Sequence, residues 1–134
     1  MLITAQEASK RLNEKRRETE EKIKKCYFRN PYSPSDTSID EDYINARIED
    51  SIKAGCEYFS IFRGTLTEYG FNKLREAGFY IIKDYPFPRG VNYRNEFTYD
   101  TGTRVCFSEK ALQDSLNDIS THGLTGWEIM TKYI

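Results

Sequence analysis

Two short segments concentrate the side chains best suited to making contacts. "YFRNPYSP" covers residues 27–34 and "YPFPRGVNYRN" covers residues 85–95. Each interleaves aromatic rings with arginine and proline. The first supplies Phe28, Arg29 and Tyr32, and the second supplies Phe87, Arg89, Tyr93 and Arg94. Arg63 stands between them in the chain. Tyr, Phe and Arg dominate the energetic centres of interfaces, and the same side chains stack on nucleobases. Prolines hold such segments semi-rigid, which lowers the ordering cost of binding. These eight residues are the candidate binding residues. The competing reading is structural: aromatics that flank a hairpin anchor it on the core, and arginines cap its edge. Phe97 and Tyr99 fit that reading, because they alternate along one face of a strand. Tyr85 fits the end of the preceding strand.

Groups for catalysis are sparse. The single histidine, His122, precedes Gly123 at a helix end, where a His interacts with the helix dipole. No serine lies in a G-x-S-x-G setting. The acidic run Asp40, Glu41, Asp42 lacks the alternation and glycine of a calcium loop. Soft or nitrogen ligands for a transition metal are too few. The glycines at 55, 64, 70, 78, 90 and 102 read as isolated turn and cap residues, not a phosphate loop. The expectation is therefore a protein with no catalytic residues, no metal and no cofactor, more a binder than an enzyme.

Composition narrows the partner class. The 134 residues carry 20 Lys and Arg against 21 Asp and Glu, a net charge of -1. Such a balance does not attract nucleic acid over the whole surface. Aromatic content is 14%, with ten Tyr and eight Phe, enough to build one domain's core from rings. Cys26, Cys56 and Cys106 are odd in number and widely spaced, which suits a reducing compartment. Cys56 and Cys106 read as buried small hydrophobes, while Cys26, in a more polar stretch, is the candidate reactive thiol, with no His, Lys pair or signature beside it to support that role. The opening residues lack the apolar core of a signal peptide, and no run approaches a membrane span. A soluble, intracellular protein is expected.

The elements that must position these residues follow from periodicity and caps. Thr4 and Glu7 open a charged helix over about 5–25, with pairs such as Glu18 with Lys22 and Glu20 with Lys24. Ser38 and Glu41 cap a second helix striped by Ile44, Ile48 and Ile52 and stopped by Gly55. A strand at 56–62, a helix capped by Thr65 and ending at Gly78, and a strand at 79–85 follow. Asp100, Thr101 and Gly102 read as a hairpin turn between two further strands. A helix capped by Ser108 and a closing strand with Trp127, Ile129, Thr131 and Tyr133 complete the chain. The sum is one α+β domain: a helical N-terminal part over 1–55 and an α+β core over 56–134. The expected core is a mostly antiparallel sheet with helices on one face, a ferredoxin-like β-α-β-β-α-β variant preceded by two N-terminal helices.

Three stretches, "LITAQEASKRL", "INARIEDSIKAGCEYFSI" and "LTEYGFNKLREAGFYIIKDY", together resemble a recurring type of small tailed-bacteriophage accessory protein. The resemblance covers about the first two thirds of the chain and leaves out the proline-aromatic segment. It implies phage origin and action in the host cytoplasm or the virion, and it supplies no catalytic residue. The leading functional expectation is a non-enzymatic accessory protein that binds and inhibits or redirects a host protein, a defence factor among the candidates. An alternative is sequestration of a small nucleotide, with Arg29, Arg63, Arg89 and Arg94 neutralising phosphate. Single-stranded nucleic acid is a weaker variant of it. A third reading is a minor virion or assembly protein in which the first helix makes a homo-oligomer contact.

Overall fold

The computed structural model of the chain describes residues 1–121, 123 and 126–133, leaving aside the side chains of Phe97 and Thr121. His122 lies outside the described residues. Helix α1 spans Ala5–Lys24, and its N-cap Thr4 accepts a hydrogen bond from the Glu7 amide. None of its residues is buried. Its surface ion pairs are Glu7 with Arg11 and Glu21 with Lys24, not the two pairs that the sequence suggests. Strand β1 (Phe28–Arg29) pairs antiparallel with β3 (Thr65–Leu66). Helix α2 covers Glu41–Lys53, but its N-cap is Asp40 rather than Ser38, with the Asp40 carboxylate accepting from the Tyr43 amide. Helix α3 covers Glu68–Glu76 and is capped by Thr67 rather than Thr65. Thr67 does double duty, since its hydroxyl also donates to the Cys26 and Tyr27 carbonyls.

The main sheet is antiparallel, with strand order β2 (Tyr58–Ile61), β5 (Phe97–Cys106), β4 (Tyr80–Val91), β6 (Glu128–Met130). The α+β class and the antiparallel sheet agree with the sequence reading. The placement of helices differs from it. Side chains alternate across a strand, so Ile81 and Ile82, and Val105 and Cys106, point to opposite faces. One face carries Phe59, Ile61, Ile81, Val105 and Met130, packed with Ile44 of α2 and with Phe71 and Leu74 of α3. The other carries Ile82, Tyr85 and Cys106, packed with Ala111, Leu112 and Ile119 of helix α4 (Glu109–Thr121). Helices thus cover both faces instead of one. The closing strand pairs with β4, not beside β2 as a ferredoxin-like order requires.

The hairpin also departs from expectation. Asp100, Thr101 and Gly102 lie inside β5, paired with Phe87, Pro86 and Tyr85. Gly102 serves packing there: a Cβ on it would sit 2.9 Å from the Phe62 ring. The turn is instead at residues 92–96. The Asn92 amide donates to the Glu96 carbonyl and the Asn95 amide to the Asn92 carbonyl. Asn95 takes φ 64°, and the Asn92 side chain accepts from the Arg94 and Glu96 amides. A type I turn followed by a left-handed residue is a favoured three-residue hairpin loop, and Asn tolerates that conformation. Pro86 and Pro88 fall within strand β4 rather than in a loop. Proline is tolerated there because β6 stops at Lys83, so the outer edge of β4 beyond it needs no amide donors.

Two bulges on β4 set the phase of its side chains. Pairing runs Ile82 with Arg104, then Tyr85 with Gly102. One extra residue on β4 is absorbed where Asp84 adopts φ 52°. Without that residue Tyr85 would join Ile81 on the opposite face. With it, Tyr85 joins Ile82 and meets Arg104. A second irregularity between Pro88 and Gly90 leaves Arg89 as the extra residue.

Candidate functional site

The bulge at Asp84 builds an unusual cluster on the α4 side of the sheet. Arg104 projects from β5 onto that face and is 8% exposed. Its guanidinium lies 3.6 Å from the Tyr85 ring centre, 3.9 Å from Tyr58 and 5.1 Å from Phe87. Phe87 in turn packs on Tyr85 at 4.7 Å and on Phe62 at 4.6 Å. Arg104 Nη1 donates to Ser115 Oγ at 3.3 Å, and Ser115 Oγ also contacts Cys106 Sγ at 3.8 Å. The Tyr85 hydroxyl donates to Asp118 at 3.2 Å. Burial pushes the Tyr85 phenol up to about 12, with Arg104 opposing and Asp118 adding to the rise.

Arg104 has no ion pair with any carboxylate among the described residues, and its Nε is buried without an acceptor. Cation–π contacts contribute about 2 kcal/mol each when desolvated, whereas burying a cation costs several kcal/mol. Two or three such contacts sum to about 4–6 kcal/mol, the same order as the burial cost. A cavity of about 490 Å³ opens at this point, lined by Arg104, Lys110, Ser115, Tyr58, Cys56 and the carboxylates Glu57, Asp114 and Asp118.

The second prominent surface is the far half of the β4–β5 hairpin. β2 pairs with β5 only as far as Thr103, and β6 pairs with β4 only as far as Lys83. From Tyr85 paired with Gly102 to Val91 paired with Phe97, the hairpin is a two-stranded arm, and no strand among the described residues pairs with either of its edges. Register sets Pro88 opposite Tyr99, and Val91 follows on the same face. Val91 is 53% exposed and Tyr99 is 41% exposed, so from Pro88 outward this face of the arm is apolar and uncovered. Tyr93, 90% exposed, stands at the tip with the Arg94 guanidinium 5.4 Å from its ring.

The eight candidate residues separate on these two surfaces and elsewhere. Phe28 is 1% exposed and belongs to the core, so it has no surface to offer. Arg29 is half-buried and donates to the Pro34 carbonyl. Arg63 pairs with Asp36 at 3.1 Å and reaches Ser38 at 3.4 Å. Asp36, held by Ser38 first and then by Arg63, has its carboxyl lowered below the ordinary range. Both arginines thus brace the loop at 30–38, from which Tyr32 projects into solvent. Phe87 lies half-buried in the Arg104 stack. Arg89, Tyr93 and Arg94 remain together on the arm, with Arg89 paired to Asp100 at 3.4 Å. The four arginines of the nucleotide reading therefore divide between two regions, Arg29 and Arg63 at the loop over 30–38 and Arg89 and Arg94 on the arm, each engaged locally.

Other expectations change with burial. Cys26 is fully buried and donates to the Lys22 carbonyl, and burial raises its thiol, which keeps it protonated rather than reactive. Cys56 is exposed, while Cys106 is buried as expected. Tyr99 is on the open face of the arm rather than packed. Ile129 is largely exposed, and Met130 is the buried residue of β6. Arg104 escaped notice in the sequence, although "TGTRVCF" holds a signal. Arg104 has the same strand parity as Cys106, so a charged residue stands where an inward side chain belongs.

No group of His, Cys, Asp and Glu among the described residues is arranged to hold a metal, and no described helix is long and apolar enough to cross a membrane. No protein-family model, no curated protein and no solved structure matches the chain.

Proposed function

We propose that this protein is a non-enzymatic binding protein whose β4–β5 arm docks on another protein. The observation that carries the reading is the arm itself: a ribbon longer than the strands beside it, with Pro88, Val91 and Tyr99 on one uncovered face and Tyr93 at the tip. An isolated two-stranded ribbon gains little stability from its own pairing. Exposed aromatic and aliphatic residues beside an arginine are the composition of interface hot spots. Its complement is a protein surface with an apolar groove and an acidic group for Arg94. The resemblance of the first two thirds of the chain to tailed-phage accessory proteins makes a host component, such as a defence factor, the partner to look for. Binding by the arm would inhibit or redirect it.

A photo-crosslinking amino acid at position 93 tests this in host extract. The expected result is one dominant adduct that is absent when the same group is placed at Lys15 on α1. Equal, diffuse labelling from both positions would refute the reading.

A further inference from the structure

We propose that the cavity beside Arg104 is a binding site for a small zwitterion of amino-acid type, its carboxylate against Arg104 and its ammonium against Asp114. This site lies at the base of the arm, on the α4 side of the sheet and apart from the arm's exposed face and tip. Arg104 is nine-tenths buried, lines the cavity and pairs with no carboxylate among the described residues. Its guanidinium is held rigidly, gripped between the Tyr58 and Tyr85 rings and fixed by Ser115 Oγ. A planar cation pre-set in this way, and lining a cavity of about 490 Å³, fits a ligand carboxylate. The volume suits a small molecule rather than a protein side chain alone.

The other charges around the cavity decide between ligand classes. Arg104 and Lys110 are its two cations, and Glu57, Asp114 and Asp118 its three carboxylates. Two minus three leaves the lining at -1. A phosphate dianion would meet repulsion from that rim, so an oxyanion alone does not complement it. A ligand carrying both a carboxylate and an ammonium does, and one with a second cation, such as L-lysine, balances the residual charge. Asp114 is exposed on α4 at the cavity mouth and has no ion pair among the described residues. Asp118 is occupied in accepting from Tyr85.

Titration of the whole chain, followed by NMR at the Arg104 Nε–H and the α4 amides, tests the site. The probes are L-lysine, L-alanine, N-acetyl-L-alanine, orthophosphate and ribose 5-phosphate. L-lysine and L-alanine should give saturable shifts confined to the cavity, with L-lysine tighter. N-acetyl-L-alanine, lacking the ammonium, should bind about tenfold more weakly or worse, as loss of a charged hydrogen bond predicts. Arg104→Met should abolish the shifts. Asp114→Asn, an exposed change that leaves the fold intact, should weaken L-lysine by about tenfold. No saturable shift with either amino acid would overturn the proposal. So would orthophosphate or ribose 5-phosphate binding as tightly as L-alanine, or Asp114→Asn leaving L-lysine binding unchanged.

Discussion

Tyr85 shows how one inserted residue sets local chemistry. The left-handed turn at Asp84 moves it to the α4 face, where its ring lies against Arg104 and its hydroxyl reaches Asp118. Its phenol rises from 10.0 to about 12, chiefly by burial. A raised folded pKa means the native state holds the proton more tightly than the unfolded chain does. The corresponding stability is complete below about pH 10 and is lost as pH rises toward 12. Urea unfolding at a series of alkaline pH values should show that decline, and Tyr85→Phe should flatten it while costing about 1 kcal/mol at neutral pH. Gly70 gives a second test. It lies inside α3, where alanine would ordinarily gain about 1 kcal/mol in helix propensity. A Cβ there would stand 2.4 Å from the Tyr27 carbonyl oxygen, and backbone cannot give way cheaply. The clash outweighs propensity, so Gly70→Ala should destabilise by about 2 kcal/mol in thermal unfolding. Read in sequence, Gly70 looked like one more turn residue, because a close approach between distant segments leaves no local mark.

At the scale of elements, helices were the legible part. Thr4 capping and the Ile44 and Ile48 part of the second helix's stripe stand as the periodicity suggests, since each depends on neighbours within a turn or two, while Ile52 at the helix end is 63% exposed. The cap of α2 shifted from Ser38 to Asp40 because two residues of similar chemistry compete for that position. The hairpin departs most from the sequence reading. Asp100, Thr101 and Gly102 carry a turn-like composition, and Pro86 and Pro88 suggest a loop, yet both sets lie in paired strands. What decides is tertiary: β6 ends early, so prolines fit on a free edge, and Gly102 makes room for Phe62. Beyond Phe87 the arm contributes little to the core. Replacing residues 88–99 by a two-residue Asn-Gly turn should therefore lower stability by no more than about 1 kcal/mol, measured by thermal unfolding. A loss of several kcal/mol would show that the arm is structural.

For the whole molecule, the sheet is a shared wall between two cores, one closed by α2 and α3 and the other by α4. Alternation along β5 is readable in the sequence, but the bulges of β4 and the side on which each helix packs are not, because they depend on register and strand order. The exposure of the candidate binding residues is legible in part for the same reason. Tyr93 and Arg94 stand exposed, whereas Phe28 and Phe87 were drawn inward by packing with residues far along the chain. The arm remains as the surface through which the molecule would act, and its contribution can be measured directly. Affinity capture from host extract should be run with the wild-type chain and with a Val91→Ser, Tyr93→Ser, Tyr99→Ser variant of unchanged melting temperature. The wild type should retain a stoichiometric protein that the variant loses by tenfold or more, as removal of hot-spot residues predicts. Equal retention by both chains would contradict the assignment of binding to the arm.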